Sequence, residues 1–319
     1  MKALALFSGG LDSILAIKTI QDQNIEVEGI YIDLGFEANK KKIDYLLQMA
    51  KKLNIKLNIV DKKDEYIKNI LFNPVYGYGK NMNPCIDCHA FMIKSAKELL
   101  EEKTASFIIS GEVIGQRPMS QRKEAMQCVN KLSDKENLVL RPLSAKLLPI
   151  TTPEIKGWVD REKLLNISGR DRKRQMELAI KYDLEDYESP GGGCLLTDIN
   201  FAKRLKDYSK NLKLTPNEID ILKVGRHINY KGFKIIISRK AEENPVLKSY
   251  QGDIFEKMFP AGFPGPVGLI QKNAPEKVKQ KAADFMISYT KFDEGGIIIN
   301  DESYNSKKIK KEEIKPFII

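Results

Sequence analysis

Ser8-Gly9-Gly10-Leu11-Asp12-Ser13 follows the apolar run Ala3-Leu4-Ala5-Leu6-Phe7 and opens a segment carrying Leu11, Ile14, Leu15 and Ile17 at helical spacing. The run reads as a buried strand and the segment as an amphipathic helix, so the hexapeptide is a strand end, a glycine turn and a helix start. Adjacent glycines let backbone approach a ligand closely, and the first amides of a helix have no partner within it. Such a turn holds phosphate oxygens through those amides and the positive end of the helix dipole. Ser8 and Ser13 add hydroxyl donors, and Asp12 offers a carboxylate for Mg2+ beside the phosphates. The lysine of the ordinary P-loop is missing, so the turn is of another kind.

Outward from this turn, apolar runs alternate with helical patterns. They are Glu26 to Asp33, a helix over about 38–53, Ile55 to Val60, a helix from about His89 to Glu102, and a buried strand at Ser106 to Ser110. The alternation predicts an α/β fold with a doubly wound, mainly parallel sheet, whose ligands sit beyond the carboxyl ends of the strands. Ser8 to Ser13, Tyr31-Ile32-Asp33 and Gly111-Glu112 all follow strand ends, so one crevice is expected to collect them, with backbone near Ile32 seating adenine. Farther on, Thr152-Pro153 reads as an N-cap followed by proline at the first helical position. The basic run Ser168 to Gln175 reads either as a solvated helix face or as a phosphate contact. Ser189 to Cys194 reads as a flexible glycine turn, and a boundary is expected near 198–212. It separates a domain of residues 1–200 from a smaller α+β domain of residues 201–319. The latter begins with the capping box Thr215-Pro216-Asn217-Glu218 and has strand-like runs at Phe233 to Ser238, Val267 to Gln271 and Gly296 to Asn300.

With 42% hydrophobic and 30% charged residues, the 319-residue chain has the balance of a soluble globular protein. No apolar run approaches a membrane span and no signal peptide is evident, so a cytoplasmic protein with no membrane partner is expected. Net charge is +10, and residues 201–319 hold 23 Lys and Arg against 15 Asp and Glu, most of the surplus. A basic domain joined to a nearly neutral one suggests a polyanionic partner, nucleic acid being the commonest; the plainer reading is a lysine-rich solvated surface.

Four cysteines in a cytosolic chain are not a disulfide framework. Cys85-Ile86-Asp87-Cys88 precedes an amphipathic helix, whose start is expected to lower the thiol pKa. The spacing suits a metal or cluster, half a zinc site, or a redox pair. Cys194 ends the glycine-rich turn and is expected in the same crevice. Three thiolates leave one metal position open for an exogenous ligand such as hydrosulfide. A structural zinc would need a fourth ligand, for which His89 stands next to Cys88. Cys128, within Glu124 to Asn130, reads as a small buried hydrophobe.

The hexapeptide resembles the SGGxDS signature of the PP-loop ATP pyrophosphatase superfamily, which has an adenine nucleotide alpha hydrolase-like fold. Members bind the pyrophosphate part of ATP while a substrate oxygen is adenylated. Cys85-x-x-Cys88 followed by Met92, then Ser110-Gly111-Glu112-x-x-Gly115-Gln116-x-x-x-Ser120-Gln121 and Leu140-Arg141-Pro142-Leu143, resemble the PP-loop half of tRNA 4-thiouridine synthetases of the ThiI type. Asn83-Pro84-Cys85-x-x-Cys88 is also similar to tRNA 2-thiouridylases of the MnmA type. The resemblance covers residues 1–198 and implies an ATP-dependent tRNA sulfurtransferase. By the same resemblance, Ser8, Gly9, Gly10, Asp12 and Ser13 bind ATP and Mg2+, and Gly111 and Gln116 line the nucleotide side. Cys88, Cys194 and Asp12 are the implied catalytic residues. Family versions with three cysteines hold a [4Fe-4S] cluster, which Cys85, Cys88 and Cys194 would bind here; versions without it use a persulfide and a disulfide, for which Cys88 and Cys194 would be the pair. The implied partners are tRNA and a sulfur donor, either a cysteine desulfurase or free sulfide.

The THUMP and rhodanese-like regions of 4-thiouridine synthetases are not found in this sequence. Its last third instead is similar to the RNA-binding domain of NFACT proteins, through Val224-Gly225-Arg226-His227, Phe233 to Arg239 and Glu243-Asn244. Arg226 and Arg239 are the expected phosphate contacts there. Two rivals stay open: a PP-loop ligase on a small molecule, preQ0 synthase-like or amidotransferase-like, and a non-catalytic RNA-binding protein with an ATP switch. The first leaves the basic third without a role, and the second leaves the three cysteines without one.

Overall fold

The computed structural model describes all residues except 40 and 189–192, so the expected turn over 189–194 lies outside the described residues up to Gly193. The chain divides into two compact units, Met1–Thr197 and Asp198–Ile319.

In the first unit the chain runs through β1 (Lys2–Leu6), α1 (Leu11–Gln21), β2 (Glu26–Asp33), α2 (Lys42–Lys52) and β3 (Leu57–Asp61). Next come α3 (Lys63–Tyr66), continued by a π-helical turn over Ile67–Leu71, then α4 (Cys85–Lys97) and β4 (Phe107–Ser110). It closes with α5 (Lys123–Ser133), β5 (Val139–Leu140), α6 (Thr152–Ile155) and α7 (Lys173–Lys181). The five strands pair in parallel in the order β3-β2-β1-β4-β5. Ala3, Ala5, Phe107 and Ile109 form one face of the sheet and pack with Ile14, Ile17 and Ile20 of α1 and Leu46 and Met49 of α2. Leu4, Ile30, Ile32 and Ile108 form the other and pack with Ala90, Ile93 and Ala96 of α4. Successive strand residues point to opposite faces, and since both faces are covered the strands are mostly apolar on both, with buried Glu28 of β2 accommodated by hydrogen bonds from Lys2 and Asn58. The chain leaves β1 toward β2 on one side and returns to β4 on the other, so the carboxyl ends of β1 and β4 flank the switch point where such folds open a crevice.

Two boundaries differ from the sequence reading. Helix α4 begins at Cys85, so the two cysteines lie inside its first turn rather than ahead of it. The N-cap expected at Thr152 falls one residue earlier: Thr151 caps, in a capping box in which Glu154 accepts from the Thr151 amide at 2.7 Å.

The second unit contains α8 (Ile199–Tyr208), α9 (Pro216–Lys223), β6 (Arg226–Tyr230), β7 (Phe233–Ile237) and α10 (Asn244–Lys248). After these come β8 (Phe255–Pro260), β9 (Gly268–Gln271), α11 (Glu276–Ile287), β10 (Glu294–Ile299), β11 (Glu302–Lys307) and α12 (Lys311–Ile314). Its strands form an antiparallel sheet in the order β11-β10-β8-β9-β7-β6. Helix α11 covers one face, with Val278, Ala282, Phe285 and Met286 against Ile235, Ile237, Ile270 and Ile297. The box at Thr215 forms as read, with the Thr215 amide donating to Glu218 at 2.9 Å. Much of the stretch expected as a boundary is the regular helix α8, capped by Asp198, which accepts from the Phe201 amide at 2.7 Å.

Candidate active site

At the end of β1 the chain turns through Gly9, whose φ of +72° lies in the left-handed region, and a Cβ there would stand 2.6 Å from the Tyr45 ring. Tyr45 locks the turn by donating its hydroxyl to the Gly9 carbonyl at 2.7 Å. The Gly10 carbonyl receives the amides of Ser13 and Ile14 and the Ser13 hydroxyl at 2.8 Å, while the Ser8 and Ser13 hydroxyls lie 3.3 Å apart. Ser8, Gly9, Gly10 and Ser13 therefore form one concave backbone with two hydroxyls at a helix start. Gly111, directly after β4, presses on it: a Cβ at Gly111 would lie 2.6 Å from the Ser13 nitrogen and 2.7 Å from the Asp12 carbonyl. Only a residue without a side chain admits that approach.

The Asp12 carboxylate is spoken for on both oxygens. Gln116 donates to one at 2.6 Å, and the Arg172 guanidinium reaches the other at 3.5 Å. Gln175, wholly buried, donates to Gln116 at 2.9 Å and so orients it. On the opposite flank Lys42, 7% exposed, donates to the Ser8 carbonyl at 2.6 Å and pairs with Glu188. Sequence reading missed Lys42 and Gln175, and Arg172 was visible only as part of a basic run, because their partners are distant in the chain. Ile32 lies within β2, paired to Val60 of β3, with its side chain in the core. Any contact it makes with a ligand would be through backbone.

The thiols are gathered by main-chain ties. Glu37 and Cys194 form an antiparallel bridge, with the Leu195 amide on the Phe36 carbonyl at 2.9 Å and the Ala38 amide on the Gly193 carbonyl at 3.0 Å. The Met82 amide bonds the Leu196 carbonyl at 3.1 Å and the Asn81 amide group bonds that of Thr197 at 2.7 Å, which holds the loop before α4 against the same segment. Cys85, Cys88 and Cys194 thus come within mutual electrostatic range. The expectation that the helix start would lower these thiols is not met. Burial raises all three, Cys194 to about 11; at Cys88 neighbouring thiols and Glu37 add to the rise, at Cys194 Glu37 and then Cys85 do, and Arg117 offsets part of it at Cys85. Burial penalises the thiolate more than the helix terminus favours it. Tyr66, packed in tilted contacts between Phe36 and Phe91 at 5.9 and 5.7 Å, buries a hydroxyl whose polar neighbour is Cys88.

Among the described residues, no three His, Cys, Asp or Glu side chains close around a single metal ion. His89 is held elsewhere: its Nδ1 donates to Glu112 at 2.9 Å, and Glu112 also accepts from Arg141 at 2.8 Å and from Ser110 at 3.2 Å. Burial works to raise the Glu112 carboxyl, but Arg141 and His89 outweigh it and hold it well below the usual carboxylate range. Cys128 is partly exposed on α5, not the buried hydrophobe expected.

In the second unit, the Arg226 guanidinium stacks on Tyr289 at 4.2 Å and donates to the Ser238 carbonyl at 3.1 Å. Arg239 forks onto buried Glu243 at 3.0 and 2.6 Å, with its side chain 46% exposed. His227 is buried, donates Nε2 to the Val224 carbonyl at 2.9 Å, and is pushed to about 3 by burial and then by Arg204, so it carries no charge at neutral pH.

The first unit is thus an α/β domain presenting a lysine-free phosphate loop at the switch point of a parallel sheet. Residues 1–148 match the family model for the tRNA methyl transferase HUP domain, and residues 225–318 match that for the NFACT protein RNA binding domain. The chain is 32% identical over 116 residues to tRNA-specific 2-thiouridylase MnmA 1 of Aliarcobacter butzleri, covering 34% of each chain. It is 26% identical over 210 residues to a probable tRNA sulfurtransferase of Ureaplasma parvum serovar 3, covering 65% of this chain and 50% of that one. The chain therefore spans half or less of the length of these two relatives. Among solved structures, a 4-thiouridine synthetase in complex with RNA and bound ATP is similar at a TM-score of 0.40 and 18% identity, over 70% of this chain and 52% of that one. Among the described residues, no helix is long and apolar enough to cross a membrane.

Proposed function

We propose that this protein is an ATP-dependent tRNA sulfurtransferase of the cytoplasm, which adenylates a uridine carbonyl oxygen and replaces it with sulfur. The observation that carries the reading is the gathering of Cys85, Cys88 and Cys194 along the same sheet edge as the phosphate loop.

The loop amides and the Ser8 and Ser13 hydroxyls grip the pyrophosphate part of ATP, and Gly111 keeps the crevice open for it. The uridine oxygen attacks the α-phosphorus, pyrophosphate leaves, and the oxygen is then carried as part of AMP. Loop dipoles fixed in place before reaction stabilise the charge that develops on the phosphate. Asp12 is the residue assigned to Mg2+. In the second step sulfur attacks the activated carbon and AMP departs with the former carbonyl oxygen.

Three soft sulfur donors suit an iron–sulfur cluster better than Mg2+ or Ca2+, although the Glu37 carboxylate stands near Cys88 and Cys194. Their raised pKa values agree, since positive iron would compensate thiolates that burial alone disfavours. A [4Fe-4S] cluster on these three residues would supply an open iron for sulfide. The cysteine side chains would hold it and position the incoming sulfur.

The basic second unit would hold the tRNA backbone by charge and shape. Both arginines are engaged, Arg226 with Tyr289 and Ser238 and Arg239 with Glu243, and Arg239, whose side chain is 46% exposed, is the chosen probe of that contact. Anaerobic protein incubated with ATP, sulfide and bulk tRNA should release pyrophosphate and yield thiouridine by nucleoside mass spectrometry. ATP turnover indifferent to tRNA, with no thionucleoside formed, would refute the reading.

A further inference from the structure

We infer that Arg172 is the phosphate-binding cation of this site, in the role the missing loop lysine would fill, and that it moves from Asp12 to the nucleotide when ATP arrives. The inference rests on the proposal that the loop binds ATP, and it names a residue outside the loop.

The loop itself offers amides and hydroxyls but no positive charge, while a triphosphate brings several negative ones. Among the described residues, two cations contact it, Lys42 and Arg172. Lys42 is committed to the Ser8 carbonyl at 2.6 Å and to Glu188, which fixes the loop from below and leaves its charge paired. Arg172 is held loosely: among the described residues its one polar contact is to Asp12 at 3.5 Å. Its Nε is shut off from solvent and has no hydrogen-bond partner among the described residues. The carbonyl oxygen of the Gln175 side chain, one helical turn farther along, is also buried without a partner among the described residues, but as an acceptor it calls for a donor and not for an anion. Buried polar groups are nearly always satisfied, so an unspent guanidinium N–H beside a phosphate loop points to an anion that completes it. A guanidinium meets phosphate through two parallel hydrogen bonds, which an ammonium cannot.

The same geometry explains how Asp12 becomes available. With Gln116 on one oxygen and Arg172 on the other, the carboxylate is capped while the nucleotide is away. Transfer of Arg172 to phosphate uncovers one oxygen for Mg2+, so the cation, the metal and the nucleotide arrive together. Gln175 holds Gln116 at 2.9 Å and keeps the remaining oxygen in place during the exchange.

Titration calorimetry of the full chain separates the possibilities, with a non-hydrolysable ATP analogue, inorganic pyrophosphate and adenosine as probes. Arg172→Ala should weaken the analogue and pyrophosphate about ten- to hundredfold, as loss of a charged hydrogen-bond partner does, and leave adenosine unchanged. Arg172→Lys should recover part of the pyrophosphate affinity, since charge returns without the fork. Equal analogue affinity in Arg172→Ala and wild type would overturn the assignment. So would an equal loss for adenosine, which would mark a structural role. If wild type binds neither the analogue nor pyrophosphate, the ATP reading falls, and this inference with it.

Discussion

The phosphate loop and the thiol pocket lie along one edge of the same sheet and are built in opposite ways. Ser8 to Ser13 are six consecutive residues whose shape follows from local causes: a strand end, a left-handed glycine and a helix start. The thiol pocket joins Cys85 and Cys88 to a cysteine more than a hundred residues later, brought in by main-chain ties from Glu37 and Met82 and by the Asn81 side-chain amide. A contiguous site takes most of its shape from its own backbone, with Tyr45 and Lys42 bracing it here. An assembled site depends on every element that holds its parts, and it can be lost while the first survives.

The hardest test of that separation is removal of sulfur chemistry alone. Cys88→Ala and Cys194→Ala should each abolish thiouridine formation by nucleoside mass spectrometry while the ATP analogue still binds, and Cys128→Ala should retain both. If Cys85→Ala also removes iron, acid-labile sulfide and thiolation, three thiolates act as one set. If it stays active without iron, the persulfide pair is the working arrangement.

The converse break is made at the loop. Gly111→Ala places a methyl group against the Asp12 and Ser13 backbone, and should cost about 1–3 kcal/mol of stability and nearly all pyrophosphate release. Asp12→Ala should stop pyrophosphate release with tRNA retention on filters close to wild type. Unchanged turnover in either variant would remove the loop from the mechanism.

A third variant probes what braces the assembled side. Glu112→Gln leaves Arg141 buried beside a neutral group and should destabilise the first unit by roughly 3–5 kcal/mol in denaturant unfolding. The sign with pH follows from its depressed carboxyl. The stability Glu112 contributes is full above the pKa of the unfolded chain and is lost as pH falls toward the lower folded value. Wild type should therefore lose its advantage over the variant on acidification, and a constant difference would contradict the buried ion pair.

The smallest effect is expected outside both regions. Arg239→Ala should reduce the slope of log tRNA affinity against log salt by about one unit or slightly less. An unchanged slope would exclude Arg239 from the phosphate contacts and leave the comparison between loop and pocket untouched.

Much of the first unit could be read directly. Alternating apolar runs and helical patterns specify a parallel α/β sheet because strand and helix periods are local properties of the chain. The hexapeptide carries its own geometry for the same reason, and so does the box at Thr215, where capping partners lie three residues apart. What could not be read are the contacts that cross the chain: Lys42 with Glu188, Arg172 with Asp12, and Glu112 with His89 and Arg141. A charged residue in a sequence carries no mark of the partner it will meet. The thiol pKa values make the same point, since the helix start argued for thiolates and burial, a property of the folded chain, reversed the sign. Sequence by itself determined the loop, the sheet and the cysteine count, all set by short-range sterics, periodicity and residue chemistry. Only the tertiary structure decided which cations stand beside the loop and how the thiols meet, because both depend on what the packed core brings close and shields from water.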